Sequence, residues 1–226
     1  MSAFEIEIKS LLGTVERAEE LKMKLREIEP RLARSSQNKQ RNHYFVHGDV
    51  GQLFAVIKPH LTKSDAEKLH EVFTDGTDFS IRSRLVDDKK LLFVVKASRD
   101  GGTSDNAISR LEFEAEIPDM TLNALDQLLL DSGFAYQAKW SREREEYQCN
   151  DITVCFDKNA GYGYLAEFEK VVRDESRVSD VKRELQSFMN RLGVEELPQD
   201  RLERMFAHYN AHWPEYYGTD RIFVVE

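Results

Sequence analysis

The stretch Ser109-Arg-Leu-Glu-Phe-Glu-Ala-Glu-Ile117 puts Arg110, Glu112, Glu114 and Glu116 on one side and Leu111, Phe113, Ala115 and Ile117 on the other. This two-residue period is that of a strand with one apolar face. Side chains two apart on a strand lie about 7 Å from one another on the same face. The carboxylates therefore form a row, and like charges held side by side oppose folding unless cations intervene.

The same arrangement recurs along the chain. Phe4-Glu-Ile-Glu-Ile-Lys9 sets Glu5, Glu7 and Lys9 against Phe4, Ile6 and Ile8. Strands are predicted over Ser80–Val86, carrying Arg82 and Arg84, and over Lys90–Ala97, carrying Lys96, joined by the polar turn Asp87-Asp88. Ala138–Gln148 carries Arg142 and Arg144, Ile152–Asp157 ends on Asp157, and Tyr164–Val171 carries Glu167 and Glu169. A short strand is expected at His43–Val46 after the polar run Arg31–Asn42. A half-exposed antiparallel sheet accounts for any one of these strands. Taken together they segregate acids and bases more sharply than solubility asks. If they closed into a barrel with charged faces inward, carboxylates could ligate a hard divalent cation while guanidinium and ammonium groups held phosphate oxygens.

Amphipathic helices supply the cover such a sheet needs. Thr14 caps a helix to about Glu29 before Pro30, and Ser64 with Glu67 reads as a capping box for a helix through Phe73. Others are expected over Leu122–Asp131, over Ser179–Leu192 with Gly193 beyond it, and over Gln199–His212. Ser98–Asn106, rich in Gly, Ser, Asp and Asn, reads as a loop. Without a dividing linker the chain reads as one domain over residues 1–213, with 214–226 as a C-terminal tail.

Composition narrows the function. The chain has 226 residues and a formal charge of −9, with 32 Lys and Arg against 41 Asp and Glu. That acidity argues against a broad nucleic-acid interface and against docking on anionic membranes. No apolar run reaches the roughly 18 residues of a membrane span, and the first ten residues do not read as a signal peptide, so a cytoplasmic protein is expected. In that compartment Cys149 and Cys155 are expected as reduced thiols.

At these residues the chain resembles the CYTH family, also called triphosphate tunnel metalloenzymes, which includes class IV adenylyl cyclases, thiamine triphosphatases and inorganic triphosphatases. The resemblance rests on Glu5-x-Glu7-x-Lys9, then Arg82-x-Arg84, Lys96, Arg110-x-Glu112-x-Glu114, Arg142-x-Arg144-x-x-Tyr147, and Asp157 followed by Gly161, Gly163, Glu167 and Glu169, in the family's order. It covers Ala3–Val172, and Arg201–Tyr209 resembles the family's closing helix. It implies an α+β fold, an eight-stranded antiparallel β-barrel forming a tunnel with helices packed outside.

The resemblance also implies roles. Glu5, Glu7, Glu112, Glu114, Asp157, Glu167 and Glu169 would bind the metal, Mg²⁺ or Mn²⁺. Lys9, Arg82, Arg84, Lys96, Arg142 and Arg144 would clamp the triphosphate, and Lys9, Arg110 and Asp157 would serve catalysis. The family often has Lys where Arg142 stands, a planar fork in place of a point donor. The Val56–Asp78 stretch and the residues after His212 have no counterpart in the pattern.

The implied activity is metal-dependent cleavage of inorganic triphosphate or of a small organic triphosphate. Alternatives are a class IV adenylyl cyclase converting ATP to cAMP and pyrophosphate, and a non-catalytic polyphosphate-binding module. The implied partner is a small triphosphate-containing substrate, with neither nucleic acid nor membrane, and a homodimer is left open. Among weaker signals, His208 and His212 read as surface residues, Gly161-Tyr162-Gly163 as a turn, and Trp140 and Trp213 as packing residues, with base stacking open to Trp140. Glu143, Glu145 and Glu146 read as an outer edge, ambiguous in parity at Glu146, and Glu116 as a rim position.

Overall fold

The computed structural model describes residues 4–98, 110–172 and 174–225, with the side chains of residues 4, 5, 110 and 175 outside the description. Eight strands, β1 (Phe4–Gly13), β2 (Arg34–His47), β3 (Thr77–Val86), β4 (Lys90–Ser98), β5 (Arg110–Glu116), β6 (Phe134–Cys149), β7 (Ile152–Asn159) and β8 (Gly163–Val172), form one sheet. Their order is β1-β8-β7-β6-β2-β3-β4-β5, with the ladders β1–β8, β8–β7, β7–β6, β2–β3, β3–β4 and β4–β5 antiparallel. The expected eight antiparallel strands with helices beside them are present. The expected loop over Ser98–Asn106 lies, apart from Ser98, outside the described residues.

Among the described residues six α-helices accompany the strands: α1 (Val15–Ile28), α2 (Val50–Ile57), α3 (Lys63–Asp75), α4 (Leu122–Asp131), α5 (Val178–Leu192) and α6 (Gln199–Tyr216). Thr14 caps α1, its hydroxyl accepting from the Arg17 amide. Gly193 ends α5 at φ 68°, a left-handed turn that glycine adopts without strain.

The chain falls into two compact units, with boundaries inside β2 at Asn38/Lys39 and inside β6 at Ser141/Arg142. In the first unit the apolar faces of β1, β7 and β8 and the end of β6 pack on α1 and α5. Ile6, Ile8, Val154 and Phe168 meet Leu21, Leu25, Leu185 and Phe188 there, all buried. In the second unit Phe45, Ile81, Phe93, Val95 and Phe113 meet Leu53, Leu69, Leu125 and Leu129 of α2, α3 and α4. In each unit one face of the strands is thus a core, and the charged residues are left on the other.

Among the elements that differ from the expectation are β2, α3 and α6. β2 begins at Arg34, nine residues before His43, through a segment with little apolar alternation. It stands between β6 and β3 in the sheet order; the ladder to β3 runs from Gln40 to Phe45, and before it Ser35 Oγ donates to Glu146 O of β6 at 3.0 Å. Polar side chains complete the reason, as where the Asn42 side-chain oxygen accepts from Arg84 Nε at 2.7 Å. α3 is capped by Thr62, whose hydroxyl accepts from the Asp65 amide at 3.1 Å, and Ser64 lies within the helix. α6 continues through Pro214 to Tyr216, and the following segment returns to the connection between β7 and β8, with Phe223 N donating to Gly161 O at 2.5 Å and Gly161 N to Arg221 O at 2.9 Å. No helix of the described residues is long and apolar enough to cross a membrane.

Candidate functional site: two rows of paired charges

In the first unit the strand register sets the charged side chains in ranks. Lys9 faces Glu167 across β1 and β8, Glu167 faces Cys155 across β8 and β7, and Cys155 faces Glu146 across β7 and β6. One step along, Asp157 faces Arg144, and on the other side of the Lys9 rank Glu7 faces Glu169. Arg144 grips Asp157 with its whole fork, Nε to Oδ1 at 2.6 Å and Nη2 to Oδ2 at 2.5 Å, and Nη2 also reaches Glu167. Arg142 Nη1 donates to Asp157 Oδ2 at 2.8 Å. Lys9 pairs with Glu7 and stands 3.7 Å from Glu167.

These partners set the protonation states. Burial would push the Glu167 carboxyl up, but Lys9, Arg144 and Arg142 outweigh it and hold the group well below the ordinary carboxylate range. Burial would likewise lower Arg144, yet Glu167 and Asp157 hold it firmly protonated. Asp157, 1% exposed, has both oxygens engaged by arginines, so in this arrangement it orients the Arg142 and Arg144 forks.

The second unit carries a matching row. Arg82 faces Tyr44 across β3 and β2, Arg84 faces Asn42, and Lys96 faces Glu112 across β4 and β5. Arg84 Nη1 donates to Glu114 Oε2 at 3.1 Å, and Lys96 Nζ stands 3.1 Å from Glu112. The Arg82 guanidinium lies over the Tyr44 ring, 4.7 Å from its centre, with Nη1 donating to the hydroxyl at 3.1 Å. Glu116 is half exposed and pairs with Lys90 at 3.8 Å, away from Arg84 and Lys96.

Two of the expected site residues are located by their backbone positions. Glu5 lies in β1 opposite Val171, and Arg110 opens β5 opposite Ser98. Among the described residues no three acidic, histidine or cysteine side chains form a ready-made metal cluster. The donor set still suits a hard cation in kind. Glu7 and Glu169 are directly opposed carboxylates with Glu167 one step along, an all-oxygen set whose mutual repulsion a divalent ion relieves.

Cys155 joins this face without having been expected there, and Glu146, ambiguous in parity from the sequence, falls on it as well. Cys155 is buried beside the acids, and burial first, then Glu167, Asp157 and Glu146, push its thiol up to about 12 against the opposing pull of Arg144. The register opposite Glu167, on the same side as Asp157, identifies it; the two-residue spacing from Cys155 to Asp157 was the available signal. Both cysteines are free, Cys149 within the helix-side core. Glu145 belongs to the opposite side of β6, where it meets Lys22 of α1 at 2.8 Å. His208 and His212 stack on α6 at 4.6 Å.

A family model described as CYTH domain matches residues 3–201. Solved structures share the fold at low identity. A Pyrococcus horikoshii protein is 21% identical, with a TM-score of 0.61, 90% of this chain and 98% of that one covered. A Vibrio parahaemolyticus protein provisionally named an adenylate cyclase is 14% identical, with a TM-score of 0.58 and 92% and 99% covered. A Hippeastrum protein, provisionally named an adenylyl cyclase and described as having a dominant triphosphatase activity, is 16% identical, with a TM-score of 0.51 and 90% and 96% covered. No curated protein matches the chain.

Proposed function

The chain belongs to the CYTH domain family, and from that membership we propose that it is a metal-dependent phosphohydrolase that cleaves inorganic triphosphate or a small organic triphosphate. The observation that carries the reading is the mutual pairing of acids and bases on one face of the strands, as in Arg144 with Asp157 and Glu167. Such a face is balanced within itself and is suited to exchange partners: bases turn to phosphate oxygens while acids turn to a cation.

The first unit offers Lys9, Arg142 and Arg144 as proposed phosphate-binding groups, and the second offers Arg82, Arg84 and Lys96. Their work is to neutralise and align the transferring group, since phosphoryl transfer depends on position and charge more than on covalent help from the protein. Asp157 holds the two arginine forks at their spacing before substrate arrives. Lys9, beside Glu167, supplies positive charge next to the acids, and Arg110 is proposed to act on the neighbouring carboxylates of its strand.

In the first unit Glu5, Glu7, Glu167 and Glu169 are the groups proposed to hold Mg²⁺ or Mn²⁺, and in the second unit Glu112 and Glu114 are the acids proposed for that role. Bound there, the metal supplies charge neutralisation on phosphate oxygens and a more acidic water. The same charges would serve attack by a ribose hydroxyl on an α-phosphorus, so product identity separates hydrolysis from cyclisation. Purified protein is incubated with tripolyphosphate, thiamine triphosphate and ATP in the presence of Mg²⁺ or Mn²⁺. Phosphate release is the expected result. Formation of cAMP and pyrophosphate from ATP would replace the reading with the cyclase, and binding without turnover of any of the three would replace it with the silent module.

A further inference from the structure

The proposed phosphate-binding row of the second unit is flanked by half-buried aromatic side chains that a sheet core does not need. His43 and Phe45 turn toward the helices, Phe45 in the core and His43 bonded to Asp126 of α4, so Tyr44 between them lies on the charged face. Trp140 stands edge-on to Tyr44 at 6.4 Å between ring centres, and both are only half buried. Tyr136, four residues earlier on β6, packs instead on Phe45 at 4.9 Å on the helix side. Regular alternation would keep positions 136 and 140 on one face. The irregularity between them therefore delivers an indole to the charged side.

Arg82 joins this aromatic pair to the cations. Its guanidinium already lies on the Tyr44 ring, and its buried Nε has no hydrogen-bond partner among the described residues. A buried guanidinium donor left unpaired is unfavourable, and an anionic oxygen is the acceptor that suits it best. Aromatic rings within reach of such a donor form a place for a planar ring carried by the same anion.

We infer that Tyr44 and Trp140 form the ring-binding wall of a subsite for an organic triphosphate bearing an aromatic base, with Arg82 at the junction of ring and phosphate. This deepens the triphosphate reading above and rests on it. It moves the substrate class from bare tripolyphosphate toward nucleotides and similar ring-bearing triphosphates. Stacking on an aromatic side chain is sequence-tolerant and strong enough to govern preference between the two.

The test is the ratio of KM for ATP to KM for tripolyphosphate. Trp140→Leu is expected to raise that ratio about tenfold, in keeping with the loss of one stacked base, and Trp140→Phe to restore most of it. A ratio within twofold of the parent's in Trp140→Leu overturns the inference while leaving the triphosphatase reading intact. A second measurement needs neither turnover nor a stable Trp140 variant. In a Trp213→Phe background, where Trp140 is the single indole, a nonhydrolysable ATP analogue with Mg²⁺ is expected to shift or quench the emission well beyond the effect of tripolyphosphate. Equal responses, or none, overturn the ring wall. Absence of turnover with every triphosphate defeats the proposed reaction separately.

Discussion

Arg144 and Asp157 face each other across β6 and β7 and are joined by two hydrogen bonds at 2.6 and 2.5 Å, with Asp157 almost fully buried. Removing one partner of such a pair leaves the other charge stranded, which typically costs about 3–5 kcal/mol. Asp157→Ala is therefore expected to lower stability by about that amount in urea unfolding, with Asp157→Asn falling between it and the parent. Arg144→Lys keeps the charge but loses the fork, so KM for the cleaved triphosphate is expected to rise about tenfold. An unchanged unfolding midpoint in Asp157→Ala would show that the clasp holds nothing.

Glu167 gives the acid dependence. Lys9, Arg144 and Arg142 hold its carboxyl well below the value of about 4.3 that it takes in an unfolded chain. The unfolded state thus binds a proton at a pH where the folded state does not. The stabilisation is fully present above about pH 4.3 and is lost as pH falls toward the folded value. Unfolding midpoints of the parent and of Glu167→Gln should differ most near pH 6–7 and converge below pH 4. A gap that stays constant down to pH 3 would contradict the assignment.

Much of this arrangement was legible in the chain because charge and period coincide: Glu112 and Glu114 against Phe113, or Arg82 and Arg84 against Ile81 and Leu85, state both a strand and a face. What escaped lacked one of those signals. The first half of β2 has no apolar alternation to read; it is held by polar contacts, as where Ser35 Oγ donates to Glu146 O at 3.0 Å and Lys39 N to Asp87 Oδ1 at 2.7 Å. Trp140 read as a packing residue, because the local break in strand regularity that sets it apart from Tyr136 depends on packing, not on composition. Cys155 was hidden by chemistry, since a buried thiol reads as core until its register opposite Glu167 is known. The pairing of Asp157 with both arginines is likewise a matter of register, and no spacing along one strand reveals it.

Asp126 of α4 anchors its unit through a second buried network. Its carboxylate meets His43 Nδ1 at 2.6 Å and accepts from the hydroxyls of Ser83 at 2.5 Å and Tyr136 at 2.7 Å. Burial would raise its pKa, and the bonds from His43, Ser83 and Tyr136 lower it. The network ties a helix to three strands behind Arg82 and Arg84. Asp126→Ala is expected to lose about 3–5 kcal/mol of stability, a larger loss than His43→Ala or Ser83→Ala, because it orphans several buried groups at once. Urea unfolding of the three variants checks the order, and a smaller loss for Asp126→Ala than for Ser83→Ala would refute the central position given to the carboxylate.

Glu7 and Glu169 face each other directly across β1 and β8, an arrangement of like charges that a structure built for stability alone would avoid. If the pair is kept for cation binding, neutralising one member should separate stability from activity. Glu7→Gln relieves the repulsion and is expected to leave the melting temperature unchanged or slightly raised. Phosphate release from triphosphate should fall at least about a hundredfold, the scale of losing a charge-organising group from a reaction of this type. The variant's residual activity should also need more Mg²⁺ to saturate than the parent's. Measuring melting temperature, turnover and the Mg²⁺ dependence together checks the claim. A variant that is destabilised yet fully active would mean that Glu7 serves the sheet through Lys9 and has no part in the chemistry.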